Sequence, residues 1–414
     1  MSRVSEGGSR KSTTRFHCAV AWTGRGFEKD VVVGVGDGLI VSLEVGVTDK
    51  DPARLPGVVF PGMVNNHSHV FHRLLRGHVS RRRGDFWSWR EAMYEVAEGL
   101  DPDSYRQIAA ATFREMLAAG YTSVTEFHYL HHQPDGRPYD EPNVMGDALA
   151  DAAAEVGVRL TLLDTCYLSS GFGLPPAGVQ RRFSDGTPEA WAERVAGWQP
   201  PSHVQFGAAI HSVRAVNPRQ MSAVAEWAEQ KPLHIHVSEQ PAENKEALNH
   251  YGRTPVQVLA DGGLLGPTTT VVHATHASDD DIALLSESET SVVICPTTER
   301  WLADGIGPTG ALGAAGIELT IGSDSQAVID PWEEMRLLEL HQRLATGTTE
   351  VHGVPSLLQA GSGGRRLGVG EPADLVAVAT DTPRTAGVPH EGIVFCATAA
   401  DVAAVVVGGR TVSA

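Results

Sequence analysis

The sequence predicts an α/β fold: a (β/α)8 TIM-like barrel with a small β-sandwich domain built from both chain ends. Three observations lead there. Across the middle of the chain, short apolar, β-branched runs alternate with helical stretches, the pattern of βα units around a parallel sheet. Eight such runs occur, and eight parallel strands with their helices close into a barrel. On either side the texture changes to Val-rich runs broken by Gly-Asp-Gly or Gly-Gly turns, at 31–35, 39–45, 373–379 and 402–407, which reads as short antiparallel strands.

In chain order, the expected barrel strands are 57–63, 123–127, 159–164, 204–210, 233–237, 269–273, 291–295 and 318–322. The clearest helix is expected over 103–119, opened by Pro102 and Asp103 and closed by Gly120 as a left-handed cap. The stretch 70–100 is too long for an ordinary βα connection and is expected to be a functional loop or lid. Its Arg81-Arg82-Arg83 run reads as a solvated loop face that could also draw in an anion. The link 357–370 is short and Gly-rich. The expected division is a flexible tail over 1–15, sandwich halves over 16–57 and 357–414, and a barrel over 58–356.

Composition narrows the function. The 414 residues carry 33 basic and 50 acidic side chains, a formal charge of −17, which argues against nucleic acid or an anionic membrane as partner. No apolar run approaches the roughly 20 residues of a membrane span. Cys18, Cys166, Cys295 and Cys396 stand alone, without a CxxC pair, so reduced thiols in a cytoplasm are expected. The N-terminal residues are Ser-, Gly- and Arg-rich without a signal-peptide core.

Histidine is the conspicuous residue, 18 in 414. His67 and His69 follow the first expected strand two residues apart, a spacing that puts both imidazoles on one side. Chance alone gives roughly 0.8 such pairs at this composition, so recurrence at other strand ends decides the matter. The fifth expected strand carries His234 and His236 and runs into Glu239; the sixth ends at His273, and the eighth leads to Asp324. Active sites of such barrels gather at these ends. Three imidazoles and a carboxylate without thiolate suit one Zn²⁺ with a place for water, and the ligands assigned are His67, His69, His236 and Asp324. His234 is left to the core, because Glu239 must reach back over the metal from beyond His236. Activated water needs a base and the leaving group an acid; Glu239 is assigned both, with Asp324 as proton relay. The only lysines, Lys11, Lys29, Lys50, Lys231 and Lys245, leave none on the fourth strand to bridge a second metal. The HxE and PCxxC pattern of nucleic-acid base deaminases is absent as well.

Taken together, Pro61-Gly62-Met63 before His67-Ser68-His69, then His236 with Glu239, His273 and Asp324, resemble the amidohydrolase superfamily and its metal-dependent hydrolase barrel. Within it, Phe86-Trp87-Ser88-Trp89-Arg90-Glu91, Glu126-Phe127-His128-Tyr129, His211-Ser212-Val213-Arg214 and Gly322-Ser323-Asp324-Ser325 are similar to the formimidoylglutamate deiminase family. That resemblance implies one zinc ion per chain and hydrolysis of N-formimidoyl-L-glutamate to N-formyl-L-glutamate and ammonia in histidine degradation. It implies that His273 stabilises the tetrahedral centre. It also implies that Arg90 and Arg214, helped by Tyr129 and His211, hold the substrate's carboxylates. His72 stands where the family pattern has glutamine and joins the substrate-binding set. The partners expected are a small anionic amidine and a second copy of the chain in a homodimer. The alternative is a mononuclear zinc deaminase of guanine or an adenine nucleoside, which would need a clamp for a flat base.

Overall fold

Two sheets share the chain in the computed structural model, which describes residues 14–47, 52–77 and 86–412. Four strands come first: β1 (Thr14–Trp22), β2 (Phe27–Gly36), β3 (Leu39–Val45) and β4 (Ala53–Pro61). The barrel strands are β5 (Met63–Ser68), β6 (Tyr121–His128), β7 (Arg159–Cys166), β8 (Val204–Ser212), β9 (Leu233–Val237), β10 (Thr269–His273), β11 (Ser291–Ile294) and β12 (Leu319–Ile321). Last come β13 (Leu375–Val378), β14 (Val402–Val407) and β15 (Arg410–Val412). The eight barrel strands lie side by side in sequence order, and all their pairings are parallel. Strands covered on both faces read as unbroken apolar runs, and every residue of β6 and β9 is buried.

The end strands form one seven-stranded sheet in the order β15-β14-β13-β4-β1-β2-β3. It curls on itself: Ile40 N–H donates to Glu371 O at 2.8 Å and Ala373 N–H to Gly38 O at 2.9 Å. Phe16, Val33, Ile40, Leu55, Val59, Leu375 and Val406 fill the resulting core. Not every pairing is antiparallel as expected, since β1 and β4 run parallel.

The expected first barrel strand over 57–63 needs correction. Val58 to Pro61 pair with β13 in the end sheet, and the barrel begins at Met63. Gly62 marks the change of sheet. A Cβ there would meet Thr122 Oγ1 at 2.2 Å, so only glycine lets the chain pass. The boundary expected at 357 moves too, because the helix Val354–Ser362 packs on the barrel with Leu357 and Leu358 buried. Thr14 and Arg15 of the expected tail belong to β1; the rest of that tail lies outside the described residues.

The segment after β5 is not a plain loop. A 3₁₀ turn (Val70–Leu75) leads away from β5, and a helix, α1 (Phe86–Glu98), precedes α2 (Pro102–Ala118). The Arg81-Arg82-Arg83 run lies outside the described residues. The α2 helix starts as its sequence dictates: Asp101 accepts the Ser104 N–H, Pro102 takes the first position, and Gly120 follows at φ 104°.

β12 and β5 meet through a single parallel bridge, Ser68 with Asp324. Two backbone bonds tie it, Asp324 N–H to His67 O at 3.0 Å and His69 N–H to Asp324 O at 3.2 Å. Gly322 permits this approach, since a Cβ on it would stand 2.7 Å from His67 O and 2.8 Å from His67 Cβ. Gly322→Ala is therefore expected to lower stability by about 1–3 kcal/mol, the usual cost of overpacking. An unchanged urea midpoint would contradict the close approach.

Candidate active site

The barrel strands are parallel, so they all end on one face, and polar side chains gather there where the apolar runs stop. β5 supplies His67 and, one residue past its end, His69. Their Ser68 neighbour turns the other way and donates to Glu126 Oε2 at 2.6 Å. His69 Nδ1 donates to Phe127 O and His236 Nδ1 to His211 O, each at 2.9 Å. A carbonyl only accepts, so each of these rings carries its proton on Nδ1 and turns the Nε2 lone pair inward. His236 Nε2 lies 3.1 Å from His67 Nε2. Asp324 Oδ1 lies 3.5 Å from His67 Nε2 and 3.4 Å from His69 Nε2.

Donors about 2.0–2.2 Å from one tetrahedral ion stand about 3.3–3.6 Å apart, so this set has the spacing of a zinc shell. Burial first, and neighbouring imidazoles second, hold His67, His69 and His236 well below the ordinary histidine range. They are neutral at neutral pH, as ligands must be. These four residues could hold one divalent cation.

The chemistry around them is set by charge. Burial alone would discharge His273, but Glu239, Glu299 and Asp324 raise its pKa to about 10. Its Nδ1 lies 3.3 Å from Glu299 Oε1, and its Nε2 lies 3.9 Å from Glu239 Oε1 and 3.8 Å from Asp324 Oδ2. Burial pushes Glu239 up to about 7 against the pull of His273. A carboxyl group poised there can both take and return a proton. The backbone is forced at these strand ends, with φ of 53° at Ser238, 74° at His273 and 42° at Asp324. Non-glycine residues rarely sit there.

His69, His72, Arg90, Tyr129, His211, Arg214, His236, Glu239, His273 and Asp324 line one cavity, and His67 lies beneath it, fully buried. All the site residues expected from sequence thus come together. His72 Nε2 is 2.8 Å from Tyr129 Oη, and burial lowers its pKa to about 3. Arg214 is partly buried, with its buried Nε 3.7 Å from Glu243 Oε1, and Arg90 lies over the Tyr94 ring. His234 faces the opposite end of the barrel, beside Asn66, Thr270 and Thr320.

Sequence reasoning missed Trp89, Met93, Tyr94, Tyr167, Phe183 and Leu302 in the cavity wall, and Glu299 and Glu243 behind it. Only the last two left a trace. Glu299 follows Cys295 by four residues and Glu243 follows Glu239 by four, so each is one helical turn past a strand end.

A second buried group, His128, His131 and Asp164, also has metal-like spacing. There Asp164 is already occupied: it accepts from Trp191 Nε1 and from both Nη atoms of Arg194, at 2.8–2.9 Å. The Arg194 cation fills the place a metal would need.

Comparison with known proteins agrees with this architecture. A model of the amidohydrolase family matches residues 58–412. Formimidoylglutamate deiminase of Pseudomonas aeruginosa is 39% identical over 74% of this chain and 70% of its own. The 8-oxoguanine deaminase of the same organism is 30% identical over 82% and 79%. The crystal structure of an amidohydrolase from Brucella melitensis superposes with a TM-score of 0.90 at 34% identity, covering 96% of this chain and 94% of that one.

The two histidines of β9 give a sharp test of the metal set. His236→Ala is expected to purify with a small fraction of the wild-type zinc, and His234→Ala with the full amount. Elemental analysis showing the reverse would contradict the assignment.

Proposed function

The chain belongs to the amidohydrolase family, and from that premise we propose that it hydrolyses N-formimidoyl-L-glutamate to N-formyl-L-glutamate and ammonia. The observation that carries this reading is the pair of arginines, Arg90 and Arg214, in the same cavity as Glu239 and His273. A chain of charge −17 has no general attraction for a dianion, so binding one requires local cations. Arginine forks suit carboxylates because two parallel donors match two oxygens. His211, kept neutral by burial and by both arginines, sets no further charge against them, and the Tyr129 hydroxyl offers a hydrogen bond beside His72.

One zinc ion bound by His67, His69, His236 and Asp324 would supply Lewis acidity for activating water. Glu239 takes the proton from the attacking water and delivers it to the amidine nitrogen. As the C–O bond forms the C=N bond opens to a tetrahedral centre; the hydroxyl proton left on it then passes by way of Asp324 and Glu239 to the same nitrogen as the C–N bond breaks, the C=O bond forms and ammonia leaves. His273, positively charged, donates from Nε2 to the centre where negative charge develops, while Asp324 accepts a proton in transit. Three buried cysteines and a fourth partly buried, all unpaired, fit a reducing cytoplasm.

A second reading has its own support in the aromatic wall of Trp89, Tyr129, Tyr167 and Phe183, which could clamp a flat base as in an aromatic deaminase. Ammonia release from N-formimidoyl-L-glutamate, guanine and adenosine separates the two, with the first expected to be the preferred substrate. Faster release from either base would overturn the anionic-amidine reading.

Two variants probe the roles. Glu239→Gln is expected to keep its zinc and lose roughly 10²–10⁴-fold in kcat, the usual worth of general acid–base catalysis; near-normal turnover in zinc-replete protein would refute the assignment. A charge-assisted hydrogen bond is worth about 1.5–3 kcal/mol, so Arg214→Met should lower kcat/KM roughly 10–100-fold. The loss should be much smaller on an analogue whose matching carboxylate is an amide, because that contact is already gone. Equal losses on both would contradict the contact.

A further inference from the structure

The barrel's seam is where the metal set is divided. His67 and His69 stand on its β5 side and Asp324 on its β12 side. Neighbouring barrel strands are otherwise joined by ladders, whereas here the described residues pair only at Ser68 and Asp324. Side chains do the rest. Asn65, Ser68, Glu126, Ser323 and Gln326 are all fully buried, and every one sits within two residues of His67, His69 or Asp324 or touches a residue that does.

Their hydrogen bonds run in one direction only. Ser323 N–H donates to Asn65 Oδ1 at 3.0 Å, so the Asn65 amide nitrogen faces Ser323 Oγ, to which it donates at 2.6 Å. Gln326 Nε2 donates to the Asp324 carbonyl at 2.9 Å, which a carbonyl can only accept, and to Ser68 Oγ at 3.0 Å. Gln326 Oε1 therefore takes the Ser323 hydroxyl proton at 2.7 Å. Ser68, having accepted from Gln326, gives its own proton to Glu126 Oε2 at 2.6 Å. The Glu126 carboxyl group at the end also accepts Val70 N–H through Oε1 at 2.8 Å. From Asn65 to Ser323 and Gln326, backbone N–H and C=O groups fix each donor and acceptor, and the chain runs on through Ser68 to the buried Glu126 carboxyl group. Gln326 holds this place from a left-handed backbone, φ 59°, a conformation that packing must impose.

We propose that this chain of hydrogen bonds is a clamp across the barrel seam, with Gln326 and Ser68 as positioning residues that set how tightly the metal is held. It rests on the assignment of His67, His69 and Asp324 to one zinc ion. Groups behind metal ligands typically change affinity 10–100-fold when removed, and here they register two halves of a shell that no ladder aligns.

The test uses zinc-loaded full-length protein challenged with a chromophoric chelator. Gln326→Met keeps the volume and removes both donors; Ser68→Ala removes the link to Glu126 with the least disturbance, and decides the matter if the first variant does not fold. Each is expected to hold zinc roughly 10–100-fold more weakly. The Tm of the metal-free protein should fall by about as much as in Thr309→Val, a matched loss of a buried hydrogen bond, and the visible spectrum of the Co²⁺ form should shift as the ligand geometry relaxes. Thr309→Val, which breaks a buried hydrogen bond to His352 far along the chain, should hold zinc like wild type. Folded Gln326→Met and Ser68→Ala proteins with wild-type zinc affinity and an unchanged Co²⁺ spectrum would overturn the clamp, as would equal zinc loss in Thr309→Val. A wild-type protein that takes up no zinc would overturn the metal assignment along with it.

Discussion

His236 gives its Nδ1 proton to His211 O, so its Nε2 lone pair is turned toward His67 Nε2, 3.1 Å away, the spacing of two donors that share one cation. Much of the architecture serves to bring them there. His69 and His236 are fixed by backbone carbonyls of the neighbouring strands, so their tautomers follow from the sheet itself. Asp324 comes close because Gly322 lets β12 pass against His67 without a side chain in the way. Unusual backbone angles are accepted at Ser238, His273 and Asp324 because the surrounding barrel over-determines them.

A site of this kind sorts its charges by distance from the convergence point. The inner imidazoles are neutral through burial. His273, one step out, is cationic because three carboxylates surround it, and Glu239 is held near neutrality by burial opposing that cation. The arginines line the same cavity. Local arrangement thus overrides the net charge of −17, which describes the surface and solubility of the chain but not the field inside the cavity.

The barrel and the polar residues that gather at its strand ends were legible in the sequence because both rest on short-range rules. Parallel strands buried on both faces leave continuous apolar runs, and functional residues cluster just after them; His67, His69, His236, His273 and Asp324 were found that way. The run through Val58 to Val64 misled, because one apolar stretch serves the end sheet and then the barrel, and the break at Gly62 depends on Thr122, which is distant in sequence. The cavity wall was illegible for a related reason. Trp89, Met93 and Tyr94 lie on a helix whose docking over the mouth is a tertiary fact, and Tyr167 and Phe183 reach the cavity from separate connections. The Asn65 to Glu126 chain spans up to 258 positions, and no local pattern announces it.

The geometry points to one cation at the meeting point of His67, His69, His236 and Asp324. Anomalous diffraction from crystals of the zinc-loaded protein, recorded on both sides of the zinc absorption edge, tests it most directly. A single strong peak per chain is expected, about 2.0–2.2 Å from the Nε2 atoms of the three histidines and from an Asp324 oxygen. Two peaks in that cavity, or a peak between His128, His131 and Asp164 with none at His236, would contradict it.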